Sequence, residues 1–300
     1  MKALVISGGG SKGAFGGGIA EYLIKEQKKH YDLFIGSSAG SLIIPLASIG
    51  ETERLKNIFT GITQRKIFNV NPFLISNING VHKISINHAG TMRMFIGGKK
   101  TFGESHSLRK LIRKTVTESD FEKILSAKTK VMVCVSNISR NTVEYFSAHD
   151  CSYNDFCDWM WASSNMVPFM SVLTKNGCEY ADGGLGNRVP IREAIQQGAT
   201  EVDAIILSPK DSVTKPVLSS NAFDLTFKVF NFMLGQISKG DILIGRHEGT
   251  VRNVKINFYF TPRVLTEHSL VFNKVEMTKW WQEGLEYARN NNPEIHNISA

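Results

Sequence analysis

Ser38 stands between two glycines in Gly36-Ser37-Ser38-Ala39-Gly40, and a serine so placed is a candidate nucleophile. The apolar run 33–35 before it reads as the end of a buried strand, and Ser41-Leu42-Ile43-Ile44 after it can begin a helix. A sharp strand-to-helix turn pushes the hydroxyl out of the sheet edge, with the helix N-terminus directly behind it. Gly36 and Gly40 suit such a bend, because a β-carbon at either position would meet the neighbouring strand or helix.

A second turn, Gly8-Gly9-Gly10-Ser11-Lys12-Gly13, follows the apolar run 2–7. It satisfies Gly-x-Gly-x-x-Gly, and Asp32 follows about twenty residues on, as a dinucleotide site requires. Asp32, however, precedes the second apolar run instead of ending it, where a ribose would lie. A Walker loop is excluded, since Lys12 is followed by Gly13. The remaining use is an oxyanion hole, in which glycine amides with no side chains to hide them converge on a developing alkoxide. Taken alone, the loop leaves nucleotide and oxyanion binding equally open. The elbow favours the second use. If the two strands are parallel neighbours, both turns open on one sheet edge, and the amides of Gly9, Gly10 and Ala39 can surround an acyl oxygen under attack by Ser38.

Ser38 also needs a base. His247, His268 and His296 are late enough for a Ser-Asp-His order, but each stands in an unremarkable context. Asp182 is the better candidate. It closes an extended run in Tyr180-Ala181-Asp182-Gly183-Gly184, and the two glycines let the backbone bring the carboxylate against another loop. Partial burial raises a carboxylate's pKa enough for it to take the proton directly.

These groups must be positioned by elements that the periodicity outlines. Strands are expected at 2–7, 33–35, 130–136, 142–146, 178–182, 202–208 and 254–260. Helices are expected at 14–30, 53–62, 107–116, 155–164, 192–197, 221–244 and 273–290. Gly16-Gly17-Gly18 weaken the first helix unless another element approaches its backbone closely, and Lys25, Lys28, Lys29 and His30 suit its negative end. The Trp159-Met160-Trp161 stripe reads as core. The stretch 50–101 has no clean period beyond its first helix, and 68–78 with Asn79-Gly80-Val81 reads equally as irregular packing or as a cap over a site. No repeat or linker divides the chain, so one α/β domain over 1–300 is expected.

Composition narrows the setting. A 42% hydrophobic content over 300 residues is enough for a large single core. The net charge of +8 is spread along the chain and does not suggest a nucleic-acid polymer as partner; its densest segment, 109–114, reads as a solvated helix face, with an anion-facing surface as the alternative. Cys134, Cys151, Cys157 and Cys178 form no Cys-x-x-Cys pair, which suits reduced thiols in the cytoplasm. With no signal-like segment and no membrane-length apolar run, any contact with lipid is expected to be peripheral.

The glycine loop 8–13, the elbow 36–40 and Asp182-Gly183-Gly184, in that order, resemble the patatin-like phospholipase family. The block Ala162-Ser163-Ser164-Asn165-Met166-Val167-Pro168 resembles the family's Ala-Ser-x-x-x-x-Pro segment, and Asn187-x-Val189-Pro190 also fits. The resemblance covers about 1–210; from Val213 onward only a compatible helix-strand-helix pattern remains. It implies a three-layer α/β/α fold with a mostly parallel sheet and a Ser38–Asp182 dyad without histidine. It also implies an oxyanion loop at Gly8, Gly9, Gly10 and Gly13, and hydrolysis of phospholipid or other acyl-lipid esters through an acyl-enzyme, with no metal or cofactor. Ser37 stands where many members have threonine, and 50–105 is where members differ most, so neither lipid preference nor an activating ligand or protein partner carries over. A nucleotide-binding enzyme using 8–13 and a non-catalytic lipid-binding relative are the rival readings. The aromatic stretches 68–78 and 223–234 are candidates for acyl-chain contact, with core packing the more ordinary role.

Overall fold

A computed structural model describes residues 1–78, 81–211, 218, 219 and 221–296; Asn79, Gly80 and the boundary at Val213 lie outside these. The chain begins with β1 (Lys2–Ile6), α1 (Gly13–Glu21), β2 (Leu33–Ser37), α2 (Ala39–Ser48), α3 (Thr52–Thr60) and α4 (Gln64–Ile67). A hairpin of β3 (Phe73–Ile78) and β4 (Val81–Ile86) follows, then α5 (His88–Ile96), α6 (His106–Thr115) and α7 (Glu118–Ser126). Next come β5 (Lys130–Asn137), β6 (Thr142–Ser147), α8 (Tyr153–Ser163), β7 (Leu173–Lys175), β8 (Cys178–Asp182) and α9 (Ile191–Gln196). The last elements are β9 (Glu201–Ile206), α10 (Ala222–Arg252), β10 (Lys255–Phe260), α11 (Lys274–Asn290) and β11 (Glu294–His296).

Among the described residues nine strands form one sheet, in the order β11-β10-β9-β1-β2-β5-β8-β7, with β6 also on β5. The run from β10 through β9, β1 and β2 to β5 is parallel throughout, and the outer strands are antiparallel. Continuous apolar sequences make the central strands because both sheet faces are covered. In β1, Leu4 and Ile6 enter one core while Ala3 and Val5 enter the other; in β2, Phe34 and Leu33 divide in the same way. The two-residue alternation of a strand thus feeds two cores, one against α1, α2, α8 and α11 and one against α9. The expected three-layer α/β architecture is present.

Register explains the proximity of distant sequence motifs. On one edge of β5, β2 pairs as far as Ser37 opposite Cys134. Antiparallel β8 takes over that edge at the next residue, with Asp182 opposite Val135, while β6 occupies the other edge. The C-terminal end of β2 and that of β8 therefore meet head-on. At the other neighbour of β2, Ile6 of β1 stands beside Gly36, so the loop after β1 opens at the same place.

The glycines of α1 receive the close partner that their sequence requires. A β-carbon on Gly18 would lie 2.1 Å from the Trp281 carbonyl oxygen, and one on Gly284 would lie 2.1 Å from that of Phe15. Small residues on both α1 and α11 let the two backbones touch, and Trp281 fills the space over Gly17.

Several elements differ from expectation. The first helix ends at Glu26 after a π-turn, and Lys28 adopts φ +51. Lys29 serves no helix end: its ammonium pairs at 2.7 Å with Asp203, a buried carboxylate that also accepts from Tyr31 and Asn257. Arg109 and Arg113 of the basic segment converge on Asp158. The stretch read as irregular contains the β3–β4 hairpin, separate from the main sheet. α10 runs on to Arg252, and β11 adds an edge that the periodicity did not indicate. Trp159 and Trp161 are core, as expected.

Gly18→Ala is expected to lower the unfolding free energy by about 2 kcal/mol, because backbone opposes the added methyl. Gly235→Ala, where nothing lies within 4 Å, is expected to raise it by about 0.5–1 kcal/mol. Urea unfolding of the two variants checks the contrast.

Candidate active site

Ser38, between β2 and α2, adopts φ 52, ψ −123, a conformation that a side-chain-bearing residue holds only when its surroundings impose it. Here they do. Its N–H donates to Ser163 Oγ at 3.0 Å, and its carbonyl accepts from Ser41 Oγ at 2.6 Å and Ser164 Oγ at 3.2 Å. A β-carbon on Gly40 would lie 2.1 Å from the Ile6 carbonyl oxygen, and one on Gly36 would lie 2.4 Å from the Gly40 carbonyl carbon. The elbow is therefore wedged between β1 and the end of α8.

Ser38 Oγ donates to Asp182 Oδ2 at 2.7 Å. The other carboxylate oxygen accepts the Gly184 N–H at 2.8 Å, and the Asp182 N–H is held by the Asn165 carbonyl at 3.0 Å. Gly183 packs so closely on β5 that a β-carbon would lie 2.2 Å from the Cys134 carbonyl oxygen. Burial pushes the Asp182 carboxyl up to about 6, against the opposing pull of hydrogen bonds from Ser38 and Gly184 and of the nearby Arg188 charge. Near neutral pH it is ionised yet basic enough to accept a proton.

The glycine loop curls over the same point, but its amides are not equivalent. The Gly8 N–H donates to the Arg188 carbonyl at 3.1 Å, and the Gly13 N–H closes a turn on the carbonyls of Gly10 and Ser11. Gly8 and Gly13 therefore do not offer free donors, which corrects their expected part in an oxyanion hole. Gly13 instead admits Phe59 and Ala39, whose atoms a β-carbon would meet at 2.8 and 3.1 Å. Among the described residues the N–H groups of Gly9, Gly10 and Ala39 have no protein acceptor. Gly10 has φ +56 and faces the Ser269 carbonyl so closely that only glycine fits.

The sequence profile of the family described as patatin-like phospholipase matches residues 4–195. The chain belongs to the patatin-like phospholipase family. It is similar to an uncharacterized Escherichia coli K12 protein, YjjU, with 22% identity over 261 residues, which is 84% of this chain and 63% of that protein's length. In structure it is similar to VipD from Legionella pneumophila, at a TM-score of 0.48 and 12% identity, over 98% of this chain and 67% of that one.

The patatin-like motifs line one pocket of about 670 Å³, counted to its open mouth. Gly9, Gly10, Ser38, Ala39 and Asp182 form its polar end; Leu42, Phe59, Ile62, Met166, Leu234 and Met277 are among its apolar walls. Among the described residues of the aromatic stretches put forward for acyl contact, only Leu234 reaches it. Phe68, Phe73, Phe223, Phe227 and Phe230 instead pack with one another and with Phe169. Among the described residues no histidine lines the pocket: the His268 ring lies against Phe227, and His296 meets Thr250. Asp32 accepts the Lys2 N–H at the start of β1, the end away from the glycine loop, so the acid expected of a dinucleotide site is not beside that loop. Among the described residues no cluster of three or more His, Cys, Asp or Glu could hold a metal ion.

Two residues that matter to this site carried no sequence signal. Arg188 donates through Nε to the Gly8 carbonyl at 3.2 Å and approaches Asp182. Asp241, from the middle of α10, accepts the N–H groups of Arg188 and Val189 at 2.7 and 2.9 Å. It thus ties the C-terminal third of the chain to the turn that holds the glycine loop. Ser37, the departure from threonine, uses its hydroxyl on the Asn187 carbonyl at 2.9 Å, a bond that threonine could also make.

The Asp182 carboxyl is expected to titrate near pH 6, and both Ser38→Ala and Arg188→Met are expected to raise that value, each removing an influence that favours the ionised form. Infrared difference spectra of the carboxyl stretch, followed against pH, give the three midpoints.

Proposed function

We propose that this chain is a serine-dependent lipid acyl hydrolase of phospholipase A type, with Ser38 as nucleophile and Asp182 as general base. The observation that carries the reading is the 2.7 Å bond from Ser38 Oγ to a buried carboxylate, beside unspent amides and at the polar end of an apolar pocket. Asp182 takes the Ser38 proton as Oγ attacks the ester carbonyl carbon. The carbonyl electron pair moves onto oxygen, and the Gly9, Gly10 and Ala39 amides stabilise that charge. Collapse expels the alcohol, protonated by Asp182, and leaves an acyl-Ser38. Water then gives its proton to Asp182 and attacks in turn, and the departing Ser38 Oγ recovers the proton as the fatty acid leaves. The apolar walls accommodate the acyl chain and contribute binding without chemistry.

Contact with a membrane surface belongs to the same reading. Among the described residues no helix is long and apolar enough to cross a membrane. Leu225, Phe232 and Leu243 on α10 and Met92, Phe95 and Ile96 on α5 are exposed, and the chain carries a net charge of +8. Exposed apolar side chains on a basic protein suit peripheral attachment to anionic lipid.

Ser38→Ala and Asp182→Asn are each expected to lower kcat on a short-chain p-nitrophenyl ester by about a thousandfold or more. A fluorophosphonate is expected to label Ser38 in the wild type. With Asp182 as base, kcat/KM should fall about tenfold per pH unit below an apparent pKa near 6 and level off above it. Full activity in Asp182→Asn would return the base role to a histidine, and tight NAD binding without labelling would replace the reading by a nucleotide-binding one.

A further inference from the structure

Next to the catalytic pocket lies a second crevice of about 400 Å³, including its open mouth, bounded chiefly by α2, α3 and α6. Leu42, Phe59, Ile62 and Leu108 line both spaces, so the two are separated by side chains that are all apolar. The rest of the crevice is apolar too, apart from Thr115. Its hydroxyl is already spent on the Leu111 and Ile112 carbonyls at 2.9 and 3.1 Å. A lining of this kind offers nothing to a headgroup, a nucleotide or ordered water, all of which need polar partners. It suits a hydrocarbon chain. The crevice also lies past the apolar walls of the first pocket, whose Ser38 and amides are at its polar end.

We propose that this crevice is a distal acyl subsite. The carbonyl end of the chain is held at Ser38, the middle lies along the first pocket, and the terminal carbons pass the partition and end among α2, α3 and α6. Long acyl chains are then selected over short ones, because only they reach the second space. The proposal rests on the reading of the first pocket as an acyl pocket. Each additional buried methylene is worth about fourfold in affinity, so a chain a few carbons longer gains on the order of tenfold to a hundredfold.

The test measures binding, so it does not depend on turnover. Octanoate and palmitate compete with a fluorescent fatty acid for the Ser38→Ala protein, alone and with Leu111→Trp or Ile58→Trp. These two residues, on α6 and α3, are half-buried, line the crevice and are absent from the first pocket. Palmitate is expected to bind at least tenfold tighter than octanoate, and each tryptophan is expected to reduce that ratio to about threefold or less. Two positions guard against one variant failing to fold, which a thermal melt reveals. An unchanged ratio in the folded variants, equal weakening of both acids, or no preference in the parent overturns the proposal. Wild-type ester hydrolysis by Ser38→Ala would instead defeat the catalytic reading, whatever the binding ratio.

Discussion

One edge of β5 carries two strands in succession. β2 runs along it to Ser37, and β8 arrives from the opposite direction and stops at Asp182, one residue further on. Two strands that share an edge in this way must place their C-terminal ends together, with no room for an intervening residue. Ser38 and Asp182 are 144 positions apart in sequence, yet the ladder of β5 sets their separation more firmly than any loop would. Gly183 allows the approach, since any side chain there would strike β5 itself. The third strand, β1, delivers its loop to the same corner because it is a parallel neighbour in register with β2.

The electrostatic consequence is a carboxylate almost wholly withdrawn from bulk solvent. A shift of the Asp182 carboxyl from 3.8 to about 6 means that the fold disfavours its ionised form by on the order of 3 kcal/mol. The sign follows from the raised value. That cost is present above pH 6, declines as the pH falls below 6, and is gone below about 3.8, where the acid is neutral in both folded and unfolded chains. In the proposed mechanism this destabilisation is what holds a base near neutrality. Arg188 limits it, and Arg188 is itself secured by Asp241, which α10 carries in from beyond the matched family region. The helix that contributes Leu234 to the pocket wall thus also steadies its charged end.

The signals that sequence carries well are those with a local cause. Gly36 and Gly40 flank a turn that no other residue type can make, and the runs 2–7 and 33–35 are apolar because both faces of their strands are covered. The partner that Gly17 and Gly18 demanded is found in α11, and that of Gly16 in Leu207, although nothing in the local pattern could name either. The middle stretch was opaque for a physical reason as well. Phe73 sits in an aromatic cluster with Phe169 and Phe227, so the pattern around it answers to distant rings and not to a local period.

The amino-acid sequence by itself determined the chemistry on offer: a serine on an elbow, a glycine loop and an aspartate followed by two glycines, each legible because the residue type is dictated within a few positions. Tertiary structure decided which of these groups stand together. It withdrew Gly8 and Gly13 from the free donors by spending their N–H groups on carbonyls, and it left His268 and His296 outside the pocket. It also brought in Arg188 and Asp241, whose positions depend on hydrogen bonds between segments far apart in the chain. Such bonds leave no periodicity behind, because a buried donor requires only that some acceptor reach it and not that the acceptor be nearby in sequence.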